Sequence, residues 1–474
     1  MEKPTSNQSL ETLDKVRVLY RQGKYEACLS TVREFSQHPE HKTYLEEFLE
    51  LAGRSQFHLG YLDLALTNFL KLQDLNPNYP KINFRIALSY DEKRDFKNAM
   101  DFYKKELSIN ANHLPSLYNS ARLMLFYNET KIAESVYRYI ISIEKNATEA
   151  YLNLTQCKHF ENVAEQETAD LLQISLDPTL SVQQKIESSF ALGKMFDDLN
   201  DYDRSFTYYL HGNTLAYSKK NFDFEDESRY VAAIEKAYSA KLPTSREQTA
   251  LQPIFLIGLP RSGKTQTERL INLSIHAKPC SEAKVISNLA ATMHHLKKTR
   301  AEFPISQSQL TEADLGEFTH SIAKKYQDLP GTDSLIILDT TPNYYLYLGL
   351  IHQIFPEAKI IHCLRDPLDH CLQMYFKYFS KGHAYSYDLA SLGHFYKLFT
   401  QMMAFWHKSQ DINVLEVRYE DLVTDPQTHQ QKIMKFLGVK EFNPVPSGVF
   451  NSLEKGRAAH YLQHLEPIRR ILKL

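Results

Sequence analysis

Eight residues combine the residue types and the spacing needed to hold a phosphate: GLPRSGKT, from Gly258 to Thr265. The segment fits the pattern G-x-x-x-x-G-K-[ST], in which the backbone N–H groups of a glycine-rich loop surround phosphate oxygens. Arg261 and Lys264 add two full positive charges to the N–H groups that begin at Ser262. The loop therefore predicts phosphate binding, but it does not identify the phosphate compound.

The segments around this loop predict strands and helices in alternation. PIFLIG is a short apolar run that ends at Gly258, and Thr265 to about Ile275 has the pattern of a helix. Further buried strands are predicted at SLIILD (334–339), AKIIHCLRD (358–366) and INVLEVRYED (412–421). Such alternation is typical of a parallel sheet covered on both faces, with ligands beyond the carboxyl ends of its strands.

The N-terminal half of the chain contains an internal repeat. A small residue recurs at Ala65, Ala99 and Ala133, at intervals of 34 residues. An aromatic residue follows each alanine by four positions: Phe69, Tyr103 and Tyr137. This period, with an alanine and an aromatic residue one helical turn apart, resembles the tetratricopeptide repeat, and related copies extend over roughly residues 10 to 215. An all-α solenoid is therefore expected here.

Chain length and local composition predict two domains. A chain of 474 residues exceeds one ordinary hydrophobic core. The segment KLPTSREQTALQP, residues 241–253, is rich in Pro, Ser, Thr and Gln and lacks periodicity. We expect a tetratricopeptide repeat domain over residues 1–243 and a P-loop-like α/β domain over residues 244–474.

Charge and composition exclude several classes of partner. The 55 basic and 57 acidic residues give a formal charge of −2, which argues against nucleic acid and anionic membranes as partners. The N-terminal segment MEKPTSNQSLETLDK has no apolar core, and no apolar run approaches a membrane span, so a cytoplasmic location is expected. The five cysteines are scattered without metal-ligand spacing, and no metal is expected.

Several segments of the second half together resemble the sulfotransferases. They are GLPRSG with TQTERLI, then DTTPNYYLYLGLIHQIFPEAKIIHCLRDPLDHCLQMYF, then RYEDLVTDP before a helix ending in FLGV. The resemblance runs from about residue 253 to the end, and this region is similar to the tyrosylprotein sulfotransferases. Repeats joined to such a domain resemble a bacterial-type arrangement. The resemblance implies transfer of a sulfuryl group from 3′-phosphoadenosine-5′-phosphosulfate (PAPS) to an acceptor hydroxyl, without a metal.

The resemblance also implies roles for individual residues. The loop residues would hold the 5′-phosphosulfate of PAPS: Arg261, Ser262, Gly263, Lys264 and Thr265. Glu282, after the first helix, would be the catalytic base that removes the acceptor proton. The other co-substrate contacts, most of them around the 3′-phosphate, would be Arg365, Gln373, Tyr419, Lys455, Gly456 and Arg457. Two alternatives stay open: a salt bridge of Arg365 to Asp366 or Asp369, and a solvated charge run at residues 455–457.

Three positions depart from the pattern of the family. Lys264 stands in a loop that usually has the sequence S-G-T-T, and Thr340 stands where the family pattern D-K-x-P has its lysine. Gln373 replaces a serine that would bind the 3′-phosphate, although its amide can still donate a hydrogen bond. We expect the cation missing at Thr340 to be supplied by Lys264, which would make Lys264 a catalytic residue.

Two alternative functions remain open at this stage. The three departures also fit a non-catalytic, sulfotransferase-like interaction module on a repeat scaffold. The phosphate loop and LIILD, whose aspartate could bind Mg²⁺, fit a P-loop ATP hydrolase. The sequence does not identify the acceptor. The neighbouring repeats favour a protein or peptide held by the repeat domain, and the oligomeric state is left open.

Overall fold

The computed structural model describes residues 6–35, 44–163, 165–220, 222–280, 283–296, 302–329, 333–408, 412–446, 448–450 and 455–474. The chain divides into two compact units, Met1–His159 and Phe160–Leu474. Each unit has its own buried hydrophobic clusters.

The described part of the first unit is built from helices joined by short turns. Their bounds are α1 Ser6–Arg21, α2 Tyr25–Phe35, α3 Leu45–His58, α4 Leu62–Leu75, α5 Ile82–Glu92, α6 Phe96–Ile109, α7 Leu114–Phe126, α8 Thr130–Ile143 and α9 Thr148–Leu154. Consecutive helices pack against each other as hairpins, and each hairpin contacts the next.

The repeated alanines and aromatic residues explain this packing. Ala65, Ala99 and Ala133 are fully buried, on α4, α6 and α8 respectively. The aromatic residues four positions later share this burial: Phe69, Tyr103 and Tyr137. A methyl side chain lets two helices approach closely, and the ring one turn later fills the space beside it. The predicted all-α repeat architecture is confirmed.

Four further helices open the second unit: α10 Gln166–Ser175, α11 Val182–Asp198, α12 Tyr202–Ser218 and α13 Phe224–Ala237. These helices form one compact unit with the residues that follow them. For example, Nδ2 of the buried Asn213 on α12 donates a hydrogen bond of 2.9 Å to the carbonyl oxygen of Tyr375. Residues 160–243, assigned to the repeat domain from their sequence, thus form one compact unit with the α/β part. The predicted boundary between the repeat domain and the α/β domain, at residues 243 and 244, stays a prediction from the sequence.

A parallel five-stranded sheet forms the centre of the second unit. Its strands are β1 Gln252–Ile257, β2 Lys278–Pro279, β3 Ile336–Asp339, β4 Lys359–Leu364 and β5 Val414–Arg418, in the spatial order β2-β3-β1-β4-β5. The register pairs Phe255 of β1 with Asp339 of β3 and with Ile360 of β4. The carboxyl ends of these strands therefore meet at one edge of the sheet, and the predicted fold class is confirmed.

Helices cover both faces of this sheet. They are α14 Lys264–Ser274, α15 Val285–Leu296, α16 Glu312–Gln327, α17 Leu348–Ile354, α18 Pro367–Tyr375, α19 Leu389–Lys408, α20 Tyr419–Thr424, α21 Pro426–Leu437 and α22 Glu466–Leu472. Short 3₁₀ helices occur at Ser306–Gln309, Tyr344–Leu346, Ala384–Tyr387 and Arg457–His464. Within the described ranges, every helix is too short or too polar to cross a lipid bilayer.

Alternating strand residues belong to different hydrophobic surroundings. Leu256, Ile361 and Val417 pack with apolar residues of α14, α20 and α21 in one continuous cluster. On the other face, the ring of Phe255 lies 5.9 Å from that of Tyr344, in the 3₁₀ helix after β3. Burial of both faces explains why these strands have nearly continuous apolar sequences.

Candidate functional site

The phosphate loop connects the end of β1 to the start of α14, as the sequence predicted. Gly258 has φ of 143° and Gly263 has φ of 99°, values that side-chain-bearing residues rarely adopt. A Cβ atom on Gly258 would lie 2.6 Å from Ser262 Oγ and 2.8 Å from the carbonyl oxygen of Cys363. A Cβ atom on Gly263 would lie 3.1 Å from the ring of Tyr419. Both glycines are thus required by conformation and by close packing.

The loop presents polar groups to the carboxyl edge of the sheet. Ser262 is 1% exposed, and its Oγ has no hydrogen-bond partner within the described residues. The 11-residue helix α14 starts immediately after Gly263, so its partial positive charge adds to that of Lys264. Thr265 is exposed on the first turn of this helix. A buried hydroxyl without a partner is costly, and an anion accepting its proton would remove that cost.

Lys264 reaches across to the end of β3. Its Nζ donates a long hydrogen bond of 3.4 Å to the carbonyl oxygen of Thr340. Thr340 is largely buried and follows Asp339, the last residue of β3. Lys264 adds a positive charge that the family pattern lacks, and Thr340 lacks one that the pattern has. These two residues are in direct contact.

Arg261, Gln373 and Arg365 form a second set of contacts. Nη2 of Arg261 donates to Oε1 of Gln373 at 3.0 Å, and Nη1 of Arg365 donates to the carbonyl oxygen of Arg261 at 3.3 Å. Arg365 is 3% exposed, and its guanidinium lies 4.4 Å from the ring centre of Tyr419. The described residues thus bring Arg261, Gln373, Arg365 and Tyr419 of the predicted site together.

The carboxylates beside Arg365 bind backbone N–H groups. Asp366 Oδ1 accepts hydrogen bonds from the N–H groups of Leu368 and Asp369 at 3.0 Å, and so caps the start of α18. Asp369 accepts from the N–H of Gly456 at 2.5 Å and from that of Ala458 at 2.7 Å. The buried carboxylate of Asp369 therefore holds the late loop against α18.

The charged residues of this late loop have partners of their own. Nζ of Lys455 donates to Oγ1 of Thr424 at 3.1 Å. Arg457 forms a salt bridge with Asp197 of α11, and its Nε donates to Oδ1 of that residue at 3.1 Å. Asp197 also accepts a hydrogen bond of 2.6 Å from the hydroxyl of Tyr461. A role of Lys455, Gly456 and Arg457 at the 3′-phosphate stays a prediction.

Two basic residues that the sequence analysis did not single out belong to the same charged region. Burial and the positive charge of Arg261 lower the pKa of Lys377 to about 8. Burial and the positive charges of Lys264 and Lys220 lower the pKa of His383 to about 4. The one sequence signal for Lys377 is its place as a single basic residue within the aromatic segment MYFKYF. Lys377 therefore adds to the positive charge around Arg261 at neutral pH, as an anion-binding site requires, whereas His383 is neutral there.

Asp339 is occupied by internal hydrogen bonds. It is fully buried, and its Oδ2 accepts from the hydroxyl of Tyr326 at 2.7 Å. Its Oδ1 accepts from the backbone N–H of Thr341 at 2.8 Å and from the hydroxyl of Thr341 at 2.6 Å. Burial raises the pKa of Asp339, although these hydrogen bonds oppose the shift. In this arrangement, Oδ1 of Asp339 holds the turn after β3, and Oδ2 joins the end of β3 to Tyr326 of α16.

The predicted base, Glu282, lies outside the described residues. Its neighbour Cys280 donates its N–H to the carbonyl oxygen of Leu338 at 2.8 Å, which continues the pairing of β2 with β3. The chain therefore reaches the carboxyl edge of the sheet two residues before Glu282.

Two families match this chain. Residues 253–444 match the family described as sulfotransferase family, and residues 80–113 match the tetratricopeptide repeat. The predicted combination of tetratricopeptide repeats with a sulfotransferase region is thus confirmed. The matched region contains the phosphate loop, Arg365, Gln373 and Tyr419, whereas residues 455–457 lie beyond it.

Similar proteins include relatives of both parts. A protein of Aquifex aeolicus (strain VF5), described as uncharacterized, is 22% identical over 467 residues, which cover 92% of this chain and 60% of that protein. The chain thus spans about 60% of the length of this relative. The sulfotransferase domain of the Synechococcus PCC 7002 olefin synthase is 17% identical, covering 50% of this chain and 92% of its own, with a TM-score of 0.29.

Other solved structures show similarly distant likenesses. Sulfotransferase STF1 of Mycobacterium tuberculosis H37Rv is 14% identical, covering 66% of this chain and 99% of its own, with a TM-score of 0.26. A thermophilic tetratricopeptide repeat protein of Thermus thermophilus is 19% identical, covering 42% of this chain and 96% of its own, with a TM-score of 0.27. At these TM-scores the likenesses support no inference about activity.

Proposed function

We propose that the sulfotransferase-family region of this chain, residues 253–444, transfers a sulfuryl group from PAPS to an acceptor hydroxyl. The observation that carries the proposal is the set of contacts at the carboxyl edge of the sheet. Lys264 of the phosphate loop donates to Thr340 there, Arg365 donates to the loop at Arg261, and the loop also holds the buried hydroxyl of Ser262. A co-substrate with two anionic groups, the 3′-phosphate and the 5′-phosphosulfate, needs such a concentration of donors and positive charge.

Each end of PAPS would have its own set of residues. The 5′-phosphosulfate would be held by Ser262, Thr265, Arg261 and the N–H groups at the start of α14. Arg365 would bind the 3′-phosphate, with its guanidinium positioned by the ring of Tyr419. Gln373 would orient Arg261 through the hydrogen bond of 3.0 Å and could donate from its amide nitrogen.

When bound, PAPS supplies the sulfuryl group and an adenosine 3′,5′-bisphosphate (PAP) leaving group. Glu282 would take the proton of the acceptor hydroxyl as that oxygen bonds to sulfur. Lys264 would stabilise the charge that returns to the departing phosphate oxygen, because its Nζ lies at the edge of the loop beside Thr340. This role requires no metal ion.

For the acceptor, we propose a protein or peptide hydroxyl. The repeat unit supports this choice, since helical repeat arrays present extended surfaces to partner proteins. A small-molecule hydroxyl is the alternative acceptor.

The first experiment is a calorimetric titration of the purified chain with PAP and, separately, with ATP and Mg²⁺. We expect PAP to bind and ATP to bind at least about 10-fold more weakly. Arg365→Ala should abolish PAP binding, whereas Arg470→Ala, at an exposed position on α22, should leave it unchanged. Preference for ATP would contradict the proposal and favour an ATP hydrolase.

A second experiment separates a transferase from a non-catalytic module. The chain is incubated with PAPS carrying ³⁵S and with peptides containing tyrosine, serine or threonine, and labelled products are separated. Transfer that is lost in Glu282→Gln supports the proposed reaction. PAP binding without transfer to any acceptor would instead favour an interaction module that retains only nucleotide binding.

A further inference from the structure

Three potential metal ligands lie together on the sheet face covered by α19. His362 of β4 and Glu416 of β5 are direct partners in the strand register. Residues paired in this way point to the same face of a sheet. His407 belongs to the last turn of α19, next to the fully buried Trp406, whose Nε1 donates to the carbonyl oxygen of Tyr345 at 2.7 Å. The position of His407 is thus fixed by core packing.

The distances between these side chains approach those of a metal site. Nε2 of His407 lies 3.1 Å from Oε1 of Glu416, and Nδ1 of His362 lies 3.8 Å from the same oxygen. One ligand atom from each residue lies within 4.8 Å of the other two. Tetrahedral zinc bonded to nitrogen and oxygen at about 2.1 Å separates its ligand atoms by about 3.4 Å. Small side-chain rotations would therefore complete the site.

A second observation points to a ligand at this place. His362 is 3% exposed, and neither of its ring nitrogens has a hydrogen-bond partner within the described ranges. Its ring is packed edge to face against Phe399, with centroids 5.7 Å apart. An imidazole buried in this way loses its hydrogen bonds to water without replacement, and a bond from one nitrogen to a metal would supply one.

We propose that His362, His407 and Glu416 bind one Zn²⁺ ion, with a fourth position left to solvent. Two imidazole nitrogens and one carboxylate oxygen are a set that zinc favours, whereas Mg²⁺ and Ca²⁺ prefer oxygen ligands. Glu416 and His407 are partly exposed, which leaves a path for the ion and room for a water ligand. The ion would connect β4, β5 and α19. None of these three residues belongs to the proposed sulfuryl-transfer set.

The test uses the full chain, freed of metal by a chelator and titrated with ZnCl₂ by calorimetry. We expect one zinc ion per chain. His407→Ala and Glu416→Gln should each weaken zinc binding by at least about 10-fold. Loss of a residue that only supports a zinc ligand already weakens binding by about this much, so loss of a ligand should weaken it at least as much. Both positions are exposed enough for the variants to fold. His429→Ala, which changes a partly exposed histidine on α21, is the matched control and should bind zinc like the wild type.

Co²⁺ provides an independent readout, because its visible absorption bands report nitrogen and oxygen coordination. We expect Co²⁺ bands in the wild type and in His429→Ala but not in His407→Ala. Zinc should also raise the thermal midpoint of the wild type and not that of His407→Ala. The absence of stoichiometric binding to the wild type, or equal affinity in all variants, would overturn the proposal.

Discussion

Exchanging the residues at positions 264 and 340 tests whether Lys264 supplies the positive charge that the family pattern has at position 340. The first change, Lys264→Thr, removes the ammonium that donates to the carbonyl oxygen of Thr340 at 3.4 Å. The second, Thr340→Lys, places an ammonium on the opposite wall, where the family pattern has its lysine. If both positions serve the 5′-phosphate of PAP, the double variant should recover what the single change at Lys264 loses.

The size of the effect follows from the type of contact. A hydrogen bond between charged groups contributes about 1.5–3 kcal/mol, so Lys264→Thr should raise the Kd for PAP by about 10- to 150-fold. Thr340→Lys alone would add a second ammonium group near that of Lys264. If the two groups were held about 4 Å apart, their repulsion at an effective dielectric constant near 20 would reach about 4 kcal/mol, and rotation of the two side chains away from each other would reduce it. This single variant should therefore be less stable without PAP than the double variant.

Calorimetric titration with PAP and thermal unfolding without ligand together measure the exchange. We expect the double variant to bind PAP within about 5-fold of the wild type, and the two changes to be strongly non-additive, as for residues in contact. Once an acceptor is known, Lys264→Thr should also abolish turnover. Wild-type affinity and turnover in Lys264→Thr would refute the compensation. If the double variant folds but binds PAP no better than Lys264→Thr, positions 264 and 340 do not serve the same phosphate.

Three further predictions concern other residues of the site. Ser262→Ala should raise the thermal midpoint of the unliganded chain slightly, because it removes a buried hydroxyl that has no partner within the described residues, and should weaken PAP binding by about 2- to 12-fold. Thermal unfolding and titration with PAP measure the two effects, and unchanged affinity would exclude the contact. The Glu282→Gln variant should bind PAP with the affinity of the wild type, but its rate of ³⁵S transfer should fall by about 10²- to 10⁴-fold, because the amide cannot accept the proton. Full activity of this variant would exclude Glu282 as the base. The affinity for PAP should fall as the pH rises through 8, because Lys377, whose pKa is lowered to about 8, loses its positive charge there. In Lys377→Met this loss between pH 7 and 9 should disappear, and an unchanged pH profile would show that Lys377 does not act on the bound anion.

The elements that could be predicted are those encoded in contiguous sequence. The phosphate loop depends on glycine spacing between an apolar run and a helix, and the structure places it between β1 and α14. Strands β3, β4 and β5 were recognisable as short apolar runs for the same reason. The strand β2 was not, because Lys278–Pro279 is too short to show periodicity.

The features that could not be predicted depend on contacts between distant residues. The salt bridge of Arg457 with Asp197 joins positions 260 residues apart, and no local pattern signals it. The lowered pKa of Lys377 requires burial beside Arg261, which the sequence immediately around Lys377 cannot show. Likewise, Asn213 lies in the stretch with repeat-like sequence, but its amide donates to the carbonyl oxygen of Tyr375, and both residues belong to the second unit.

The positions that depart from the family pattern take part in two sets of contacts at the same edge of the sheet, and this favours a functional site over one that has lost its function. Lys264 donates to Thr340, and Gln373 accepts from Arg261, whose carbonyl oxygen accepts from Arg365. If the site had lost its function, substitutions would be expected to remove hydrogen-bond donors and to leave polar groups without partners. Here, the side chains of Lys264 and Gln373 each form a hydrogen bond with another residue of the site, and Nζ of Lys264 lies 3.4 Å from the carbonyl oxygen of Thr340, the position at which the family pattern has its lysine. For this reason we give the transferase precedence over the non-catalytic module, and transfer of ³⁵S from PAPS that is lost in Glu282→Gln is the result that would separate the two.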